Sequence, residues 1–265
     1  MSERTVQFGR TGTLSGVLTE TGADAPAGPL LVIARSASMQ DAAARRLSVE
    51  LARAARERGL DSLRFDLGGC GASGDRMAGE SAADAASNDI FDAVDHLTRA
   101  RPDRACILLG IGPDIDAIYR VAVHDPRIAG VISINGPAFR TWSYWLRRCA
   151  QGLSPSRWWR RDSREQLAGD VGGEADAAGV LAGDRQAFAA AIQALADRGA
   201  RVLHVYSGGA TARRFNHARQ FWAMLPALRT DGRLAVGYLP AADSGFTCRD
   251  DREQLSGICL DWVLR

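Results

Sequence analysis

The sequence lacks the features that would place it in several broad classes. It has no CxxC pair. Its five cysteines, Cys70, Cys106, Cys149, Cys248 and Cys259, are irregularly spaced. That pattern points to free thiols in a reducing, cytoplasmic compartment rather than a disulfide framework. No run approaches the roughly 18 apolar residues that a membrane span needs. The opening MSERTVQFGRTG has no apolar stretch of the kind a signal peptide carries. Four histidines (His96, His124, His204 and His217) lie far apart, without HxH or HExxH spacing, so a dedicated zinc site is not expected; no other metal or cofactor is expected either. Net charge is small as well: 33 Lys+Arg, all arginine, against 31 Asp+Glu leaves +2. Such a balance gives no general pull toward nucleic acid or membranes.

What is present is enough apolar residue for a sizeable core. The chain has 265 residues, 46% of them hydrophobic, which suits one large domain or two small ones. Residues 4–9 and 13–19 alternate around Gly9-Arg10-Thr11-Gly12 and predict a hairpin. PLLVIAR (29–35) is a continuous apolar run, as expected for a strand covered on both faces. A helical pattern over 41–58 follows, closed by Gly59. Strand and helix then alternate. Strands are expected at 61–66, 105–111, 130–135, 201–207 and 233–239. Helices are expected at 83–99, 114–124, near 212–224 and at 250–264. An antiparallel opening followed by this alternation predicts an α/β fold: a mostly parallel sheet of about eight strands, with helices on both faces.

Residues 137–199 break the pattern. They hold Trp142, Trp145, Trp158 and Trp159, a Gly/Ala/Asp-rich middle and a helical run at 186–198. The tryptophans either pack this insertion onto the body or line a pocket beneath it, and the two roles are compatible.

Two readings compete for the glycine loop DLGGCGASGD (66–75). Gly69-x-Gly71-x-x-Gly74 matches the dinucleotide fingerprint, with Asp95 about 20 residues on. That fingerprint should close the first strand and open a helix directly. This loop follows the fourth strand, and residues 75–80 intervene before a helix.

The second reading uses more of the chain. RFDLGGCGASGD (64–75) resembles the segment after the fourth strand in α/β-hydrolases. The hairpin, the PLLVIAR strand, the turn at 110–114 and the insertion after GVISIN fall in that superfamily's order. HDPRIAGVISINGP (124–137) and LSPSRWWRR (153–161) are similar to segments of α/β-hydrolase-like proteins associated with bacterial exosortase-type polysaccharide systems and polyketide or peptide assembly systems. The resemblance spans nearly the whole chain. It implies an α/β-hydrolase fold with a core of 1–136 and 200–265 and a helical lid at 137–199. It also implies a pocket at the carboxyl ends of the strands.

The superfamily's chemistry needs a nucleophile on a strand–turn–helix elbow, an acid after a later strand and a histidine after the last strand. Aligned on Gly110-Ile111-Gly112-Pro113-Asp114, the nucleophile position is Gly112. Pro113 removes an N–H where an oxyanion donor belongs. The acid position falls at Gly208-Gly209, with Gly209 as the expected site. No histidine follows His217, and Ser244 in PAADSGF (240–246) stands in the histidine's place. The triad is therefore expected to be degenerate at Gly112, Gly209 and Ser244. Arg35, Ser36 and Ser38, with Ile111 and Pro113, are expected around the pocket and oxyanion region. His204 suits the core, and His217 a helix surface.

Asp114 or Cys70 are the candidates for a relocated catalytic group. Asp114 also suits a helix N-cap, and Cys70 an inert small residue. The expectation is a protein that binds an acyl or glycan-type ligand, or a biosynthetic partner enzyme, with no nucleic acid and no membrane span. The alternatives are an esterase, thioesterase or acyltransferase working through Asp114 or Cys70, and a nucleotide-binding oxidoreductase.

Overall fold

The computed structural model describes residues 3–22, 28–36, 42–75, 79–152, 180–208 and 214–265. Eight strands form one sheet in the order β1-β2-β4-β3-β5-β6-β7-β8. They are β1 Glu3–Phe8, β2 Leu14–Thr19, β3 Leu30–Arg35, β4 Ser62–Asp66, β5 Cys106–Ile111, β6 Ile128–Ile134, β7 Arg201–Ser207 and β8 Leu234–Leu239. The hairpin β1–β2 is antiparallel, and β2 joins β4 antiparallel. From β4 to β8 every neighbouring pair is parallel. This is the α/β architecture that the alternation predicted. The central strands LLVIAR and CILLGI are buried almost throughout, as strands covered on both faces must be.

The helices are α1 Ala42–Glu57, α2 Ala82–Arg99, α3 Ile115–His124, α4 Trp142–Gly152, α5 Val180–Gly183, α6 Arg185–Asp197, α7 Arg219–Met224 and α8 Arg249–Val263. Strand side chains alternate between two cores. Leu108, Val131, Val202 and Tyr206 face α2, α3 and α6. Leu109, Ile132, Leu203 and Val205 face α1 and α8. On that second face Arg252 of α8 reaches Glu50 of α1 at 2.7 Å and ties the two helices together.

Local signals set the helix starts. Ser81 accepts the Asp84 N–H at 3.1 Å and caps α2, while Asp184 accepts the Gln186 and Ala187 N–H groups and caps α6. Within the 137–199 stretch, α6 is a core element. Phe188, Ile192 and Leu195 are fully buried among the strand residues, so α6 serves as the crossover helix between β6 and β7. Among the described residues no helix is long and apolar enough to cross a membrane.

Candidate functional site at the carboxyl ends of the strands

The turn after β5 is the sharpest feature of this edge. Gly110 allows α3 to cross close over the strand, because a Cβ there would lie 2.5 Å from Ile118 Cδ1. Ile111 ends the strand, and Gly112 then turns at φ +59°. This left-handed conformation suits glycine. A Cβ at Gly112 would meet nothing within 4 Å. A sharp strand-to-helix turn is thus built at Gly112, with an open direction for a side chain. Pro113 supplies no N–H.

Asp114 lies next in the turn and is buried. It does not cap α3: its side chain makes no cap hydrogen bond. The expected N-cap role is therefore corrected. The carboxylate instead reaches across to the end of β3 and accepts the Ser36 N–H at 3.2 Å and the Ser36 hydroxyl. The register explains the reach, since β3 and β5 are direct neighbours in the sheet. Burial pushes the Asp114 carboxyl up from its ordinary 3.8 to about 6, opposed in part by the two Ser36 hydrogen bonds. One N–H that follows β3, where this type of site draws an oxyanion donor, is thereby turned toward an internal carboxylate.

Arg35 is engaged within the fold. Its guanidinium pairs with Asp66 at 2.6 Å and reaches Ser48 Oγ at 3.5 Å. Asp66 also organises the glycine loop. It accepts the Ala72 N–H at 3.2 Å, and its carboxylate lies where a Cβ on Gly71 would stand, 2.2 Å away. Gly74 N–H donates to the Thr13 carbonyl, and Gly69 N–H to the Gly74 carbonyl. The three fingerprint glycines therefore fold the loop onto itself and onto the hairpin. Asp95 pairs with Arg127 at 2.6 Å on the half-exposed side of α2. None of these contacts favours a dinucleotide. Cys70 is buried in the apolar core, with its thiol donating to the Gly68 carbonyl at 3.7 Å.

The β6, β7 and β8 ends meet through a residue that the sequence did not single out. Asn135 follows β6 at φ +54°. Its side-chain oxygen accepts the Ser207 N–H at 2.8 Å, and its amide donates to the Ser244 carbonyl at 3.2 Å. The Asn135-Gly136-Pro137 turn signal marked this position without revealing the clamp. Ile134 pairs with Ile111, so Asn135 and Gly112 leave adjacent strands side by side. Gly112 and the Ser244 loop thus share one edge of the sheet. Ser244 is exposed. Its neighbour Asp243 is occupied by its own turn, accepting the Gly245 and Thr247 N–H groups. Gly208 packs so closely that a Cβ would lie 2.1 Å from the Pro240 carbonyl oxygen. Gly209, Ser38, Trp158 and Trp159 lie outside the described residues.

The remaining candidates separate. His204 is a core histidine, as expected, fully buried with Nε2 2.9 Å from the Tyr119 hydroxyl. Burial lowers its pKa to about 3. His217 precedes α7 rather than lying on it, with Nε2 3.2 Å from Ser143 Oγ. Among the described residues, Trp145 sets its ring edge-on against Tyr144 at 5.3 Å, and neither Trp142 nor Trp145 is buried. They are 77% and 45% exposed.

No family model matches the chain, and no curated protein matches it in sequence. Solved structures do match. A structure of an alpha-beta serine hydrolase homologue from Coxiella burnetii has a TM-score of 0.63 at 15% identity, over 98% of this chain and 96% of that one. The esterase domain of a Rhodothermus marinus protein has a TM-score of 0.59 at 16% identity, over 98% and 97%. A serine hydrolase without lid from Xanthomonas campestris has a TM-score of 0.58 at 15% identity, over 100% and 93%. At these identities the likeness establishes the fold: the chain has the α/β-hydrolase fold.

Proposed function

We propose that this α/β-hydrolase-fold protein binds its ligand without hydrolysing it. Glycine at the elbow carries the reading. Gly112 holds the left-handed turn and leaves the side-chain direction open, so a ligand can approach where a nucleophile would otherwise attack. Two further features support it. Pro113 and the Asp114–Ser36 contact weaken the oxyanion site. Ser244, in the histidine's place, cannot act as a general base near neutral pH. The ligand class that fits the resemblance of 124–137 and 153–161 is an acyl or glycan-type intermediate of an assembly pathway, delivered to or taken from a partner enzyme.

Ligand binding is tested by thermal unfolding of the purified chain with acyl thioesters and with lipid-free oligosaccharides. A ligand at about 100 times its Kd should stabilise the fold by about 2.7 kcal/mol. A bulky Gly112→Phe substitution should remove that shift. A shift that survives Gly112→Phe would place binding elsewhere and overturn the reading. In the triple variant Gly112→Ser/Ser244→His/Gly209→Asp, esterase activity should appear at a low level, limited by Pro113.

One observation favours a second reading. Asp114 has a raised pKa and touches the Ser36 hydroxyl, which is how a relocated base would be poised. On this reading the protein is an esterase, thioesterase or acyltransferase, and Asp114→Asn abolishes its turnover. Cys70 is buried in the apolar core and draws no comparable support.

A further inference from the structure

Helix α4 carries its apolar face outward. Of residues 142–149 only Tyr144 is buried. Tyr144 seats the helix, and Asn216 donates to its carbonyl at 3.1 Å. At 3.6 residues per turn, Trp142, Leu146 and Cys149 fall on the side opposite Tyr144, and Trp145 lies at its flank with the two rings 5.3 Å apart. All four are exposed. Arg147 and Arg148 flank this stripe, nearer the body. A helix of an ordinary globular surface shows the reverse, with its apolar stripe toward the core. Trp222, on the neighbouring α7, adds a third exposed indole, 46% accessible. Exposed apolar side chains of this size, grouped on one helix face, mark interaction sites.

Charge identifies the occupant. Residues 137–152 and 214–224 contain five arginines, Arg140, Arg147, Arg148, Arg214 and Arg219, and no Asp or Glu. The chain as a whole is nearly neutral, so this concentration is local. A second copy docking face to face would set the arginines of these two segments against their own counterparts. An anionic lipid surface meets both halves of the pattern. Tryptophan and leucine enter the headgroup–acyl boundary, and arginines extend along the apolar surface to phosphates.

We propose that α4, with the adjoining α7, docks the protein on an anionic lipid surface through Trp142, Trp145, Leu146, Trp222 and the flanking arginines. The inference is independent of the reading of the elbow. It would hold the carboxyl edge of the sheet, from which α4 departs after β6, beside the bilayer.

Co-sedimentation of the full chain with vesicles tests it. Phosphatidylcholine vesicles are compared with vesicles holding roughly 30% phosphatidylglycerol. The wild type should sediment with the anionic vesicles, release in high salt and ignore the neutral ones. Trp142→Ala/Trp145→Ala should weaken binding by about tenfold or more. Each of Arg147→Gln and Arg148→Gln should weaken it about fivefold. Leu264→Ala, an exposed leucine at the end of α8, should change nothing. These are surface positions, and circular dichroism verifies folding of each variant. Absence of binding to anionic vesicles, or wild-type binding by the double tryptophan variant, overturns the proposal. So does a wild-type dimer that the double variant converts to a monomer, because the face would then belong to a second copy.

Discussion

Replacing Asp114 by asparagine should stabilise the protein at neutral pH. The carboxyl is buried, and among the described residues the Ser36 hydrogen bonds offset the loss of water. Its pKa rises from 3.8 to about 6 on folding, which corresponds to about 3 kcal/mol of penalty on the ionised form. A raised carboxyl pKa means that the folded state holds the proton more tightly than the unfolded state. Stability is therefore full below pH 3.8, falls as pH rises toward about 6, and stays low above that. Asparagine keeps an acceptor for the Ser36 N–H and carries no charge. The gain should be absent near about pH 4 and grow to about 1–3 kcal/mol at pH 7 and above. For a chain of this size that is a rise of about 2–4 °C in Tm per kcal/mol. Urea unfolding of both proteins across this range supplies the assay, and the difference between them cancels every other titrating group. A variant less stable than the wild type at all pH values would refute the reasoning. So would a difference that does not change with pH.

Other predictions follow from the same contacts. Gly112→Ala should fold with a loss of about 1–2 kcal/mol, the cost of a left-handed alanine without a clash. Gly208→Ala should lose more, because its Cβ would meet the Pro240 carbonyl oxygen at 2.1 Å; denaturant titration ranks the two. Arg35→Ala leaves the Asp66 carboxylate without its cation and should cost roughly 2–4 kcal/mol, with faster proteolysis in the 66–75 loop. His204 stays neutral when buried and takes up a proton on unfolding, because its pKa falls from 6.5 to about 3. It therefore removes stability progressively as pH falls from 6.5 toward 3. His204→Gln should flatten the stability profile in that window relative to the wild type, whatever its effect at pH 7.

The sequence made the sheet legible because its strands are long apolar runs and its helices keep strict amphipathic spacing. LLVIAR and CILLGI could be little else than central strands, and the order of elements fixed their parallel pairing. A glycine turn after CILLGI was readable from residue type, and the structure gives it a left-handed conformation at Gly112. What the sequence left open depends on direction rather than type. Asp before a helix reads as an N-cap, and only the adjacency of β3 and β5 turns Asp114 toward Ser36. Arg35 reads as a free cation until its neighbour strand brings Asp66 beside it. Asn135 reads as the last residue of a strand, and its clamp on Ser207 and Ser244 joins residues more than 70 positions apart. The tryptophans of α4 read as packing or pocket residues because large apolar side chains are usually covered. The seat provided by Tyr144 turns two of them outward.

The most direct test of the account is hydrolysis of short and medium acyl p-nitrophenyl esters and acyl thioesters by the wild type beside Asp114→Ala, Ser36→Ala and Cys70→Ala. An α/β-hydrolase site without its triad can retain weak background rate enhancement, on the order of 10³–10⁴ over water. The account predicts that any such background is the same in all four proteins. Turnover in the wild type that a single one of these substitutions abolishes would make that residue catalytic, and the protein an enzyme with a relocated site.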